Sequence, residues 1–273
     1  MFSRDPKGSA VPEYSPMHRL LLGLFALALP ACQPAPALSD AADEQMLEAK
    51  HGTLAGESIA VGGQKRVYRL VVPKSVDLNK PAPRLVAFHG MGIDSKELIP
   101  RYTRLDDLAA DKKFILVYPD AIGRSWGLTP DKVKADLAFF DALLDHLKKQ
   151  HKIDADRICT VGMSNGGYFS HLVGAERSMV VAAVASHSGP LGLQTLGGIK
   201  AERKFPVFIV HGDQDRLLPV EWARENRDKY KKEGHEVKYV EVAGLGHQWA
   251  TKEKINEQMW EFFEKHPLSA AKP

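Results

Sequence analysis

The stretch that decides the fold is RICTVGMSNGG, residues 157–167. It opens as a short apolar run, and the glycines after it mark a turn. Ser164 lies on that turn, with Gly162 and Gly166 two residues before and after it. So sharp a turn crowds the backbone on both sides, and glycine relieves the crowding because it has no Cβ. The pattern predicts a buried strand, a tight turn that carries Ser164, and a helix from Asn165.

Similar apolar runs occur along the rest of the chain and predict strands buried on both faces of a parallel sheet. These runs are residues 84–90, 114–119, 180–188 and 205–212. The more polar stretches 65–73 and 236–244 predict strands near the sheet edges.

Helical stretches separate these strands. Apolar residues recur at steps of four and three in 130–150 and predict an amphipathic helix, with Thr129 as its cap and Pro130 in its first turn. A last helix is predicted in 253–265. Strands that alternate with helices predict a single-domain α/β fold, a doubly wound and mostly parallel sheet with helices on both faces. Ligands bind at the carboxyl ends of the strands in such sheets.

Ser164 is therefore a candidate nucleophile, and the alternative is an ordinary glycine-rich corner. A serine needs a base to become a nucleophile. Among eleven histidines, His247 is the best candidate, because the loop GLGHQW follows the strand 236–244 and could bring the imidazole over the site. The alternative for His247 is a solvent-facing loop position. His187, in ASHSG after another strand, is a candidate pocket-lining residue.

The base in turn needs an acid that orients it and stabilises the imidazolium. The segment HGDQDRLLP, residues 211–219, offers two aspartates after a predicted strand. Asp215 is favoured as the acid, because Asp213 directly follows a glycine and is expected to hold the turn. The order Ser164, Asp215, His247 is the order of the triad on strand–turn–helix elbows of this type.

The negative charge that develops on the substrate needs backbone N–H donors. The N–H of Asn165, at the start of a helix, is one candidate. The N–H of Met91, in HGMG at residues 89–92, is the other, since its glycines allow close approach to a substrate. An ordinary strand-to-loop turn is the alternative for HGMG.

The composition is that of a globular protein, with 273 residues, 44% hydrophobic and 26% charged. The formal net charge is only +3, and the basic residues are spread along the chain. We therefore expect no nucleic-acid partner.

The first residues have the features of an export signal. The apolar core 20–29 is too short to span a bilayer as a helix, and LPAC at 29–32 resembles a bacterial lipobox, with Pro30 as a departure from the pattern. That resemblance implies cleavage before Cys32 and a lipid on its thiol, and hence a membrane partner at the bacterial cell envelope. The alternative is a secretory signal that is cut near Ala31. Translation could start at Met1 or Met17.

We accordingly expect four segments along the chain. These are a signal peptide over 1–31, a lipidated cysteine and flexible tether over 32–56, a catalytic domain over 57–266 and a disordered tail over 267–273. If Cys32 is lipidated, only Cys159 remains, so no intramolecular disulfide can form. Cys159 itself is expected to be a buried strand residue.

Several motifs together resemble one known family. HGMG, VYPDAIGRSW, IDADRICTVGMSNGG, HGDQDRLLP and GLGHQW, in that order over about residues 65–265, resemble the polyhydroxybutyrate depolymerase-like and feruloyl esterase-like branch of the α/β-hydrolases. The resemblance implies a serine esterase that uses Ser164, Asp215 and His247 as its triad and needs no metal or cofactor. Its substrate would be a small or oligomeric carboxylic ester.

The resemblance also carries some departures and alternatives. Met91 stands where this branch often has cysteine, and the chain leaves no room for a separate polymer-binding domain, which argues against action on insoluble polyester. Trp126 and Trp249 occupy positions where the family tends to place aromatics near the site, and core packing is the alternative for both. A prolyl oligopeptidase-type serine peptidase and a non-catalytic envelope lipoprotein are alternative functions.

Overall fold

The computed structural model describes residues 51–94, 98–192, 197–252 and 254–270. The predicted signal peptide, Met17, Cys32 and most of the expected tether lie outside the described residues. Within the described part of the chain, no helix combines the length and the apolar character that crossing a bilayer requires.

The described residues form one eight-stranded sheet with the spatial order β1-β2-β4-β3-β5-β6-β7-β8. The strands are β1 Gly52–Val61, β2 Gln64–Val72, β3 Ala82–Phe88, β4 Ile115–Pro119, β5 Ile153–Met163, β6 Ala183–His187, β7 Val207–Gly212 and β8 Val237–Val242. β1 and β2 pair antiparallel with each other, β2 pairs antiparallel with β4, and all other neighbours are parallel. The carboxyl ends of β3 to β8 therefore share one edge of the sheet.

Helices cover both faces of this sheet. They are α1 Leu98–Thr103, α2 Leu105–Lys112, α3 Pro130–Gln150, α4 Asn165–Glu176, α5 Val220–Lys232 and α6 Ile255–Glu264, with 3₁₀ turns at Ile122–Arg124 and Leu268–Ala270. Successive residues of a strand point to opposite faces. Leu85 and Ala87 thus pack in the core with α2 and α6, whereas Val86 and Phe88 pack in the core with α3, α4 and α5. Both faces are buried, as the apolar strand sequences predict.

The predicted doubly wound α/β fold is confirmed. Helix α3 has the predicted bounds, with Pro130 in its first turn, although the Thr129 hydroxyl makes no capping hydrogen bond. Cys159 is buried in β5, as expected. β8 lies at one edge of the sheet, as expected for the stretch 236–244.

Two expected boundaries were wrong. β1 begins at Gly52, inside the expected tether, and it takes the edge position next to β2. Its side chains are mostly exposed, and only Ile59 and Val61 pack against the core, so the ladder of backbone hydrogen bonds to β2 is the main feature of this strand. The expected disordered tail contains the Leu268–Ala270 turn, because Leu268 packs against the core on the α6 face.

Candidate active site

Ser164 lies on a strained turn between β5 and α4. Its backbone angles are φ 56° and ψ −120°, which residues with a side chain rarely adopt. A conformation of this kind costs on the order of 1–3 kcal/mol and persists only where its surroundings hold it. The Ser164 N–H donates to the His187 carbonyl at 2.9 Å, and the Ser164 carbonyl accepts from the Tyr168 N–H at 2.9 Å. These two hydrogen bonds hold the turn to β6 and to the first turn of α4.

The two glycines around Ser164 are required by close backbone approach. A Cβ at Gly162 would overlap the carbonyl group of Gly166, and a Cβ at Gly166 would overlap the carbonyl of Phe88. Glycine two residues before and two residues after Ser164 is therefore required by backbone crowding, as the sequence predicts.

Asp215 and His247 form a hydrogen-bonded pair. The His247 Nδ1–H donates to Asp215 Oδ2 at 2.7 Å, and Asp215 Oδ1 accepts from the N–H groups of Leu217 and Leu218, both at 2.9 Å. The Asp215 carboxyl is fully buried, whereas the His247 ring is partly exposed. With the proton on Nδ1, the lone pair of His247 lies on Nε2, where it can accept a proton from another group.

Asp215 remains ionised in this environment. Burial opposes ionisation, but hydrogen bonds from His211, His247 and the Leu218 N–H outweigh it and hold the pKa of Asp215 well below its usual range. His211 Nε2 lies 3.3 Å from Asp215 Oδ2 and 2.8 Å from the Leu218 carbonyl. Asp213, the other aspartate of the segment, accepts from the Gly244 N–H at 2.6 Å; it therefore holds a turn, but the one after β8 and not the turn after Gly212 for which it was expected.

The sheet brings the three predicted triad residues to the same edge. Ser164 follows β5, Asp215 follows β7 and His247 follows β8. The segment after β8 turns back across the ends of β7 and β6, since the Gln214 N–H donates to the Leu245 carbonyl at 3.0 Å and the Ala250 N–H donates to His187 Nε2 at 2.9 Å. His247 lies in the chain between these two attachments, at the edge of the sheet where β5 ends at the Ser164 turn.

Both candidate oxyanion donors border Ser164. Gly90 lies beside the turn, because a Cβ at Gly90 would come within 3.7 Å of the Ser164 Cβ. Met91 follows Gly90, and the Gly92 N–H is held by the Arg124 carbonyl at 2.8 Å. Asn165 starts α4, where the N–H groups of a helix's first turn are available to an anion. The oxyanion role of Met91 and Asn165 remains a prediction.

The Asn165 side chain has a separate task. Its Oδ1 accepts from the Trp126 N–H at 2.6 Å and its Nδ2 donates to the Trp126 carbonyl at 3.3 Å. The amide thereby connects the strained turn to the loop after β4. No sequence pattern signalled this contact, because it joins residues far apart in the chain.

The structure favours core packing over substrate contact for both tryptophans. Trp126 is fully buried, stacks on Phe169 with ring centroids 4.6 Å apart and donates through Nε1 to the His89 carbonyl at 3.0 Å. Trp249 is also buried and stacks on His187 with centroids 5.0 Å apart. The expected substrate-binding role of Trp126 and Trp249 is therefore wrong for their rings as placed here. Aromatic residues near a site and aromatic residues under it look alike in sequence.

His187 was expected to line the pocket, and this was also wrong. The side chain is only 2% exposed, and its ring is packed under the segment that carries His247.

Comparison with known proteins agrees with this geometry. The family model of the dienelactone hydrolase family matches residues 117–267. The bifunctional acetylxylan esterase/xylanase XynS20E of Neocallimastix patriciarum is 30% identical over 63% of this chain and 25% of its own length. Feruloyl esterase D of Neurospora crassa is 26% identical over 62% of this chain and 60% of its own. The putative esterase NocK of Nocardia uniformis subsp. tsuyamanensis is 28% identical over 61% of this chain and 50% of its own. The chain thus spans between a quarter and three fifths of these relatives.

Solved structures show the same fold. A CE1 ferulic acid esterase from Anaeromyces mucronatus superposes with a TM-score of 0.62 at 17% identity, over 86% of this chain and 98% of that one. A thermostable esterase superposes with a TM-score of 0.61 at 23% identity, over 77% of this chain and 62% of that one. The strand order, the strained serine turn and these superpositions all indicate a single-domain α/β-hydrolase fold. With the matched family model, they show that the chain belongs to the dienelactone hydrolase family.

Proposed function

We propose that the protein is a serine esterase that hydrolyses carboxylic esters through an acyl-enzyme intermediate on Ser164. The observation that carries this proposal is the 2.7 Å hydrogen bond between His247 and the buried Asp215, at the sheet edge where Ser164 is held in a strained conformation. A purely structural turn has no need of an oriented imidazole on its own side of the sheet.

The reaction has two halves that use the same groups. Ser164 Oγ attacks the ester carbonyl while His247 Nε2 takes the hydroxyl proton, and the N–H groups of Met91 and Asn165 bind the developing oxyanion. His247 then gives the proton to the departing alcohol, which leaves the acyl group on Ser164. In the second half, His247 takes a proton from water as the water oxygen attacks the acyl carbonyl, and it returns that proton to Ser164 Oγ as the bond to the serine breaks and the acid is released. Asp215, still ionised, stabilises the imidazolium in both halves.

The substrate class follows from the relatives and from the resemblance of the motifs. Relatives named acetylxylan esterase and feruloyl esterase support acetyl or hydroxycinnamoyl esters of carbohydrates as substrates. A polyhydroxybutyrate depolymerase-like activity on short hydroxyalkanoate esters is the second candidate, which rests on the motif resemblance alone.

We also propose that the chain is attached to the bacterial envelope through a lipid on Cys32, or is secreted if the signal is cut without lipidation. The lipobox-like LPAC at 29–32 supports the anchor. Detergent phase partition of the full chain and its Cys32→Ser variant separates the two forms, because only a lipidated protein enters the detergent phase.

The test of the proposed activity compares the protein with its Ser164→Ala variant. Substrates are p-nitrophenyl acetate, butyrate and octanoate, methyl ferulate, and a p-nitroanilide peptide. We expect kcat on the preferred ester to fall by roughly 10⁴- to 10⁶-fold in the variant. Ser58→Ala, on the exposed edge strand β1, is the matched control and should retain full activity.

Each other outcome has a clear meaning. Equal activity in Ser164→Ala would overturn the serine mechanism. Cleavage of the anilide peptide in preference to all esters would indicate the peptidase alternative. A folded protein that cleaves nothing would favour a binding lipoprotein.

A further inference from the structure

His187 contacts both halves of the proposed catalytic machinery. Its backbone carbonyl accepts from the Ser164 N–H at 2.9 Å, and its ring accepts, through Nε2, from the Ala250 N–H at 2.9 Å. The ring also stacks on Trp249, with centroids 5.0 Å apart and an angle of 23° between the planes. Trp249 and Ala250 are the second and third residues after His247. One residue at the end of β6 therefore holds the serine turn with its backbone and the histidine segment with its side chain.

The acceptor role of the ring requires a neutral imidazole. Burial, together with the neighbouring His211 and His247, lowers the pKa of His187 to about 3. The ring is therefore uncharged at neutral pH. Because Nε2 accepts from Ala250, the ring proton lies on Nδ1, 3.2 Å from Ser188 Oγ. A charged ring at this place would have no acceptor for Ala250 and would repel an imidazolium at His247.

Among the described residues, the histidine segment has further attachments at His247 and at Trp249. Asp215 holds the imidazole of His247 itself, and Trp249 is held through its N–H by the Tyr102 hydroxyl and through Nε1 by Asn256 Oδ1 at 3.0 Å. Tyr102 belongs to α1 and Asn256 to α6, so these two contacts attach Trp249 to those helices. His187 is thus the hydrogen-bonded contact from Ala250 to β6, beside the packing of Trp249 and Ala250 in the core that also holds Met163.

We propose that the His187 side chain is a positioning residue, which sets the distance between His247 Nε2 and Ser164 Oγ by holding the segment 247–250 over the end of β6. It touches neither the substrate nor the proton that moves. This inference rests on the proposed function, since it assigns His187 a part in the same reaction. Residues that support a reacting group matter because a displacement of about 1 Å can lower a rate about 100-fold.

Two variants separate the hydrogen bond from the packing of the ring. His187→Phe keeps a ring to stack on Trp249 but leaves the Ala250 N–H without its acceptor. His187→Gln loses the ring but can place its amide oxygen where Nε2 lies. Neither variant changes the backbone hydrogen bond to Ser164. We expect His187→Phe to lower kcat by about 10- to 100-fold with KM changed less than about threefold, and His187→Gln to recover most of that loss.

A double-mutant cycle with Asp215→Asn distinguishes positioning from general structural damage. It compares the loss of kcat caused by His187→Phe in the wild-type and in the Asp215→Asn background, and only a positioning role makes the two losses differ. In the Asp215→Asn background His247 is already misoriented, so His187→Phe should lower kcat less than about threefold further. A loss that is equally large in both backgrounds would overturn the proposal, and so would a His187→Phe variant that keeps full kcat.

Proton NMR gives a test that does not depend on turnover. The His247 Nδ1–H, hydrogen-bonded to Asp215, should give a downfield resonance that is absent in Asp215→Asn. We expect this resonance to broaden or vanish in folded His187→Phe and to persist in His187→Gln. If it behaves so while no ester is cleaved, the positioning role stands and the proposed esterase function fails. If esters are cleaved and the resonance is unchanged in His187→Phe, the positioning role fails alone.

Discussion

Two buried aspartates in this protein, Asp136 and Asp215, have nearly the same exposure and opposite surroundings. Asp136 lies on α3 beneath the loop after β4, and its side chain is 1% exposed. Its Oδ1 accepts from Arg66 Nη2 at 2.7 Å, and its Oδ2 accepts from the Gly127 N–H at 2.8 Å and from Lys132 Nζ at 3.4 Å. Two of these three donors carry permanent positive charge.

Asp215 also receives several hydrogen bonds but faces no permanent cation among them. Its donors are two backbone N–H groups and the imidazole of His247, with His211 close by. An imidazole can gain a proton, whereas a guanidinium can neither gain nor lose one near neutral pH. The comparison teaches that burial of a carboxylate does not decide its role. The partner decides it, and only Asp215 is placed to respond to a proton that moves.

The largest expected effect is the loss of catalysis in the Asp215→Asn variant. An asparagine amide cannot hold His247 in the tautomer that leaves Nε2 free, so kcat on the preferred ester should fall by about 10⁴-fold. The measurement is kcat beside a denaturation curve of the same sample. A loss below tenfold in folded protein would show that Asp215 does not orient the base.

The next largest expected effect is the loss of stability in the Asp136→Asn variant. Removing the carboxylate leaves the buried Arg66 guanidinium without its counter-ion, and we expect the free energy of unfolding to fall by about 3–5 kcal/mol. Urea denaturation measures it. The matched control is Asp141→Asn on the same helix, where a half-exposed carboxylate pairs with Arg177 and should contribute less than about 1 kcal/mol. An equal loss of unfolding free energy in the two variants would show that the buried ion pair contributes no more than the exposed one.

The smallest effect concerns how pH changes stability. Burial lowers the pKa of His171 and of His187 to about 3 each, so these rings take up protons on unfolding once the pH falls below about 6.5. Asp215 has a lowered pKa as a carboxylate, so its contribution is complete above about pH 4 and is lost only below that. Between pH 7 and 5 the free energy of unfolding should therefore fall mainly because of the buried histidines.

His171→Gln and Asp215→Asn test this division by urea denaturation at pH 7, 6 and 5. The first should reduce the slope by up to about 1.4 kcal/mol per pH unit, which is one proton, and the second should leave the slope unchanged in this range. A slope that changes in Asp215→Asn and not in His171→Gln would contradict the assignment.

Much of the site could be predicted because its signals are local. The overlap of a Cβ at Gly162 or Gly166 with the backbone depends only on the turn between β5 and α4, so the sequence around Ser164 reveals it. Asp215 could be preferred to Asp213 because Asp213 directly follows a glycine and was expected to hold the turn, and the hydrogen bond from His247 agrees with that choice.

What escaped prediction depends on neighbours that are distant in the chain. Trp126 and Trp249 have the residue type of substrate-contacting aromatics, but the elements above them decide whether their rings are reached by solvent. β1 has only a short apolar pattern, Ile59 and Val61, and most of the strand is exposed and pairs with β2 through its backbone.

The sequence by itself determined the alternation of buried strands and helices, the strained turn at Ser164 and the order of the candidate triad, because local sterics and apolar periodicity set these features. Only the tertiary structure decided that His247 meets Asp215, that Asp136 meets Arg66, and that His187 lies between the serine turn and the histidine segment. These contacts join residues that lie on different strands, helices and loops, between 23 and 70 positions apart along the chain, and the packing on both faces of the sheet sets which of those elements meet.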